Sequence, residues 1–239
     1  LISVAVPAYR TPKLFLTQMQ DSLLAQTYKN WELCIANGSP DDGDMREVLE
    51  RYSARDKRIC IQNLGENLGI AGNTNAALSM TSGEFVGILD HDDLLAPNAL
   101  YEVAKALGEN PGMDAVYTDE DKVTTDLGEH FQPHLKPDFN LDLLRSNNYI
   151  CHFFVVKRSV LEKAGGFRQE FEGAQDYDFI FRCVEQAEKV GHIPEILYHW
   201  RTHKASTADN PASKMYAFVG GKRGRVAHLG RTGVKGLVT

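Results

Sequence analysis

Cysteine is sparse and unpaired in this chain of 239 residues: Cys34, Cys60, Cys151 and Cys183 lie far apart. That spacing fits neither a zinc ribbon nor a disulfide framework, so reduced thiols in a cytoplasmic compartment are expected. Long apolar runs are missing too, and none approaches the roughly 20 residues that a helix needs to cross a bilayer. Positive charge is not in excess. Lys and Arg number 26 against 32 Asp and Glu, a net charge of −6. The basic side chains stay scattered until Lys222, Arg223 and Arg225, whereas a general nucleic-acid binder would concentrate them on one face. No nucleic-acid partner is expected. Glycine is absent from the loop after the first apolar run, Pro7-Ala8-Tyr9-Arg10-Thr11. Both the Gly-x-Gly-x-x-Gly dinucleotide fingerprint and the phosphate-cradling Gly-x-x-x-x-Gly-Lys loop are therefore missing, and phosphate has to be neutralised some other way.

What is present is an alternation of strand and helix. Apolar runs at residues 2–6, 31–36, 58–62, 85–89 and 115–117 read as strands. Between them, helical periodicity covers residues 11–25, 44–55, 70–80 and 97–107. The last of these has Pro97 in its first turn and Gly108 just past its end. Strands separated by helices of this length imply right-handed crossovers and a mostly parallel sheet flanked by helices, an α/β fold. The second half is less regular: an apolar run at 152–156, a helix from about Asp176, a strand ending at Tyr198, and a last helix over about 212–229. Residues 1–117 read as a nucleotide-binding half, and 118–239 as a half that completes a pocket in the same domain. The chain is long enough to bury a core without metal or disulfide staples, and it reads as a domain cut from a longer protein.

The most informative stretch is the strand at 85–89, which runs straight into Asp90, His91, Asp92 and Asp93. Unpaired charge is costly to bury, so these carboxylates are expected to face water, a cation or a basic partner. Strand C-termini are also where open α/β sheets bind ligands. Hard oxygen donors there suit Mg²⁺ or Mn²⁺ bridging to a substrate's phosphates. The plainer alternative is that Asp92 or Asp93 caps the helix after Pro97.

Seven segments, taken in order, carry a resemblance: Ser3-Val4-Ala5-Val6-Pro7-Ala8-Tyr9, Ser22-Leu23-Leu24-Ala25-Gln26-Thr27-Tyr28, Asn67-Leu68-Gly69, Leu89-Asp90-His91-Asp92-Asp93, Thr118-Asp119-Glu120-Asp121-Lys122, Gly173-Ala174-Gln175-Asp176-Tyr177-Asp178 and Tyr198-His199-Trp200-Arg201. Together they resemble family-2 glycosyltransferases of the GT-A fold, and most of all the bacterial polysaccharide and O-antigen transferase domains. The resemblance implies inverting transfer of a sugar from a nucleoside diphosphate to a hydroxyl of a glycan or lipid-linked acceptor. It also implies contact with the inner membrane only through the parent protein.

Residue roles follow from the same resemblance. Asp92 would bind Mn²⁺ or Mg²⁺ directly, with Asp90 acting through water or the ribose and His91 lining the pocket. A late histidine, His199 or alternatively His203, would complete the metal site. Asp176 would take the acceptor's proton, unless it only caps its helix; Asp178, two residues on, cannot share its face. Pro7, Ala8 and Tyr9 would wall the nucleotide, Asn37, Gly38 and Ser39 would contact its base, and Asn67 and Asn75 would add to the nucleotide-sugar site. Asp119 and Glu120 would touch the acceptor or donor sugar, or else lie in a solvated loop. Two departures stand out. Asn37-Gly38 replaces a common Asp-Asp, and Thr74 stands where an Arg is frequent, a loss that Arg10 or Arg201 would offset. Two other classes stay open: a sugar nucleotidyltransferase and a non-catalytic sugar-nucleotide-binding scaffold.

Overall fold

The computed structural model describes residues 1–203, 214–236 and 238. Strand β1 (Ile2–Ala8) lies between β2 (Trp31–Asn37) and β4 (Phe85–Ile88), parallel to both, and β3 (Ile59–Asn63) extends the parallel set beyond β2. All seven residues of β1 are buried, as expected of a strand covered on both faces. The strand's two faces carry different sizes of side chain. Val4 and Val6 join Leu33 and Ile35 against α1 (Lys13–Leu24) and α2 (Gly43–Arg55), which contribute Leu16, Met19, Leu23, Val48 and Leu49. On the other face Ala5 and Ala36 meet Ala77 of α3 (Gly69–Met80). Small side chains there let α3 approach the sheet closely, which brings its N-terminus to the ends of the strands.

Beyond β4 the sheet becomes mixed. β8 (Phe154–Lys157) pairs antiparallel with β4 and with β6 (Ala115–Val123). β9 (Val190–Arg201) runs parallel to β6, and the two-residue β5 (Leu94–Leu95) closes that edge against β9. The sheet order is β3-β2-β1-β4-β8-β6-β9-β5, with β7 (His130–His134) attached to β6. Helices α4 (Ala99–Glu109), α5 (Leu141–Ser146), α6 (Arg158–Ala164), α7 (Gln175–Val184) and α8 (Lys214–Thr232) complete the fold. Among the described residues no helix is long and apolar enough to cross a membrane.

The two longest strands correct the expectations above. The fifth predicted strand does not stop at Tyr117 but continues to Val123, so Thr118–Asp121 is strand rather than loop. Likewise β9 does not end at Tyr198 but runs on to Arg201. Both extensions are polar and pair with each other over long sequence separations, which local propensity cannot register. The helix expected from 97 begins at Ala99, with Asn98 at its cap, so neither Asp92 nor Asp93 serves as a cap. The start expected near residue 212 lies outside the described residues.

Arg201 shows why β9 extends. It is fully buried. Its Nε donates to the Asp92 carbonyl at 2.6 Å, and Nη1 donates to Gln18 Oε1 at 2.7 Å and to the Thr125 carbonyl at 3.0 Å. The guanidinium also lies over the Phe15 ring, 4.4 Å from its centroid. So engaged, it is not available to a diphosphate, contrary to one of the two offsets considered above. Arg201→Ala is expected to lower the unfolding free energy by about 1–3 kcal/mol, because it removes three part-buried hydrogen bonds and the packing on Phe15. Arg201→Lys should recover only part of that loss, since an ammonium cannot reproduce the fork; denaturant midpoints of the three proteins check both.

Candidate active site

The C-terminal ends of β1 and β2 open into a cleft of about 1030 Å³, lined among others by Tyr9, Arg10, Gly38, Ser39, Glu66 and Asn67. Tyr9 is 37% exposed there, whereas Pro7 and Ala8 are buried and do not line the cleft. Ser39 Oγ accepts from the Arg10 amide at 2.8 Å, which joins the two loops. Asn37 is fully buried. Its Nδ2 donates to Asn63 Oδ1 at 2.9 Å, and its Oδ1 accepts from the Ser39 amide at 3.0 Å. A Cβ at position 38 would come within 2.5 Å of Asn73 Nδ2, so any side chain there would push that amide aside. That same nitrogen donates to Asn67 Oδ1 at 2.9 Å, tying the loop to the start of α3. Asn75 lies elsewhere, holding both backbone groups of Phe167 at 2.9 and 2.7 Å.

Next to this cleft the chain leaves β4 through the acidic loop. Asp93 points inward and is 1% exposed, accepting from the Tyr198 hydroxyl at 2.5 Å and the Arg201 amide at 2.8 Å. Burial, helped by the charges of Asp92 and Asp90, pushes its carboxyl well above the usual range. Asp92 points the other way, with Oδ2 2.8 Å from His203 Nε2. His91 Nδ1 lies 3.9 Å from Asp92 Oδ1 and is buried with no hydrogen-bond partner. Asp90 has a side chain that is 41% exposed, yet protein packed around it on its other sides displaces water from the carboxyl. That burial raises its carboxyl above the ordinary value; His152 opposes the shift, and Asp92 and Asp176 add to it.

Asp176 therefore lies close enough for its charge to be felt at Asp90, although 86 positions separate the two in the chain. It stands in the first turn of α7, where the helix dipole favours a negative charge. The cap position is Ala174, with no side-chain cap bond, and Asp176 Oδ2 instead accepts from Asn148 Nδ2 at 2.8 Å. Asp178 is fully buried and spent on Arg182 Nε at 2.8 Å.

The late histidines separate. The β5–β9 register pairs His199 with Leu94, two residues past Asp92. Its Nδ1 is 2.6 Å from Asp121 Oδ1, and Asp121 Oδ2 is 2.9 Å from His130 Nδ1. His203, beyond the end of β9, is the one set against Asp92.

Asp119 and Glu120 are buried at 3% and 5% exposure, not solvated. Asp119 Oδ1 accepts from the Lys136 amide and contacts His192 Nε2, each at 2.8 Å. Glu120 Oε2 pairs at 3.0 Å with Nζ of Lys136, whose side chain is wholly buried. That ammonium also donates to the carbonyls of Ile150 and His152. Burial alone would raise the Glu120 carboxyl, but His152, His134 and Lys136 together hold it far below the usual carboxylate range. His152 in turn stacks on Tyr198, with centroids 4.6 Å apart, and its Nε2 is 3.9 Å from Asp90. Burial depresses this imidazole, yet Glu120, Asp90 and Asp93 outweigh it and push the group up to about 9. Lys136 and His152 went unseen in the sequence. The one signal they leave is a lysine and a histidine beside apolar stretches, and their partner Glu120 is 16 and 32 positions away.

A parallel first half, an antiparallel extension and an acidic strand end with a second carboxylate near it are the features of a GT-A glycosyltransferase. The family model for glycosyl transferase family 2 matches residues 3–165, and the chain belongs to that family. It is 36% identical over 239 residues to the O-antigen biosynthesis protein RfbC of Myxococcus xanthus, covering 100% of this chain and 19% of that protein. It is 39% identical to an uncharacterized Sinorhizobium fredii protein, over 99% of this chain and 26% of the other. The chain thus spans only about a fifth to a quarter of these relatives. Among solved structures, S. aureus TarS 1-349 in complex with UDP-GlcNAc superposes with a TM-score of 0.76 at 20% identity, covering 95% of this chain and 66% of that one. Mannosyltransferase PcManGT from Pyrobaculum calidifontis, in complex with GDP-Man and Mn²⁺, gives 0.68 at 19% identity, covering 100% and 65%. At such identities the likeness is one of fold.

Glu120→Gln would leave the Lys136 ammonium buried without a counter-charge, and a loss of about 3–5 kcal/mol is expected in urea unfolding. The pH dependence has a definite sign. The native carboxyl sits below the unfolded value of 4.5, so its contribution is complete above that pH and is lost as the pH falls. Acid unfolding of Glu120→Gln should therefore show a shallower decline below pH 4.5 than the parent.

Proposed function

We propose that the chain is an inverting, metal-dependent transferase domain. It moves a sugar from a nucleoside diphosphate to a hydroxyl of a glycan or lipid-linked acceptor in cell-surface polysaccharide assembly. The observation that carries this reading is that Asp176, from the second half of the chain, lies close enough to the Asp90–Asp92 loop of the first half for its charge to be felt at Asp90. The relative named for O-antigen biosynthesis points the same way. We also place the domain on the cytoplasmic side of the inner membrane, with membrane contact made by the parent protein.

The residues fit a divalent cation. Asp92 and Asp90 supply hard oxygens, His203 adds an imidazole, and the orphaned Nδ1 of His91 lies beside the same carboxylate. When bound, Mn²⁺ or Mg²⁺ stabilises the negative charge that develops on the departing diphosphate. The remaining steps belong to the chain itself. Tyr9, Arg10, Ser39 and Asn67 line the cleft that would receive the nucleotide. Asn148 orients Asp176, whose free carboxylate oxygen accepts the acceptor hydroxyl's proton as that oxygen attacks the anomeric carbon. Attack opposite the leaving diphosphate inverts the anomeric centre. Asp178 cannot take this role, being committed to Arg182.

Two variants test the reading, assayed with a panel of UDP-, GDP-, TDP- and CMP-sugars. Asp176→Asn should lower kcat by about 10²–10⁴-fold, the usual worth of a positioned base, while donor-induced thermal stabilisation with Mn²⁺ persists. Asp92→Asn should lose the Mn²⁺-dependent part of that stabilisation. Donor binding without turnover in the parent chain would replace the transferase reading by that of a donor-holding module.

A further inference from the structure

The second cluster of metal-ligating side chains lies outside the cleft. Asp121 of β6 is approached by His130 of β7 and His199 of β9, with Nδ1 to carboxylate distances of 2.9 and 2.6 Å. The two imidazole rings meet edge to face, centroids 4.6 Å apart. One ligand atom from each of the three residues lies within 4.8 Å of the other two. Strand pairing sets this spacing: Asp121 is the register partner of His199, and Val123, two residues on, is that of His130. Three adjacent strands therefore present three ligands, and no long loop has to be ordered. The side chains of His199 and His130 are 19% and 50% exposed, which leaves a way in from solvent.

The charge balance asks for a cation. The Asp121 side chain is 9% exposed, and among the described residues its ion-pair contacts are these two histidines. Neighbouring Lys122 is turned away, with Nζ on Gln132 Oε1 at 2.8 Å. A carboxylate this enclosed is compensated only if an imidazole carries a proton or an ion binds between the three groups. Two imidazoles and one carboxylate suit first-row transition ions rather than Mg²⁺ or Ca²⁺. Three protein ligands plus one water make a four-coordinate zinc-type site.

We propose that Asp121, His130 and His199 bind one zinc-type divalent ion, separate from the site at Asp92 and His203. His199 serves this cluster, and the ion staples β7 to β6 and β9. The same three strands line an adjoining cavity of about 240 Å³ through Glu120, Lys122, Gln132, His134 and Trp200, so bound metal fixes the wall of that cavity. The inference is independent of the roles assigned to Asp92 and Asp176.

Co²⁺ is the probe, because a four-coordinate site gives it distinctive visible absorption. In the chain carrying Asp92→Asn, checked for fold by circular dichroism, titration should show one equivalent of Co²⁺, displaced by Zn²⁺. Adding His130→Ala, at a half-exposed position, should weaken binding at least about 10-fold, the lower end for loss of even an outer-shell partner. Adding His134→Ala instead should leave binding unchanged. The proposal is overturned if folded Asp92→Asn takes up no Co²⁺, if His130→Ala binds as tightly, or if His134→Ala weakens binding equally. Failure of the Asp92 reading would appear in the Mn²⁺ and donor experiments and leave these titrations as they are.

Discussion

One buried carboxylate organises the site. Asp93 accepts from the Tyr198 hydroxyl and the Arg201 amide, so the loop leaving β4 is bound to the far end of β9. These two segments are more than 100 residues apart in sequence and come from opposite halves of the fold. With Asp93 turned inward, the alternation of the chain presents Asp92 to His203 on the other side. Hydrogen bonds offset part of the cost of burying Asp93, and the remainder shows as a carboxyl raised well above its normal value. Of the three acids in the loop, Asp93 is thus the one that positions the others.

Beneath the cleft a polar ladder continues from that point. Tyr198 stacks on His152, His152 faces both Asp90 and Glu120, and Glu120 holds Lys136. Charges alternate along it, so each buried ion has an opposite neighbour, the condition under which such pairs are tolerated. The ladder also sets a field at the surface. An imidazole pushed up to about 9 lies below Asp90, partly offsetting the mutual repulsion of the exposed acids. A rim able to gather a cation is thereby kept from repelling itself apart.

How much of this was legible in the sequence depends on contact range. The parallel half was readable because period and turn signals are local: β1, β2, β3 and β4 and the helices between them stand within a few residues of their expected places. Asp90, Asp92 and Asp176 were marked as candidates by strand-end chemistry and by a family resemblance covering the whole chain. The polar strand segments at Thr118–Val123 and His199–Arg201 were not readable, because their pairing partner is another polar strand about 80 residues away. The same blindness hid Lys136 and His152 and left His199 and His203 undecided. What separates those two histidines is the contact of His203 with Asp92 and of His199 with Asp121.

The departure at Asn37-Gly38 gains a physical meaning from the same geometry. Position 37 is fully buried, and its side chain must donate to Asn63 while accepting from the Ser39 amide. Asparagine does both, whereas an ionised aspartate only accepts, so Asn63 would have to turn its own amide NH₂ inward to keep the bond. A side chain at position 38 would displace the Asn73 amide. The two residues are therefore one unit with Asn63 and Asn73, and Gly38 is the part of it that lines the cleft. The side chains that do face the opening are those of Tyr9, Arg10, Ser39, Glu66 and Asn67. On the donor-binding role proposed above, buried Asn37 acts through the Ser39 amide that it holds and not by contact.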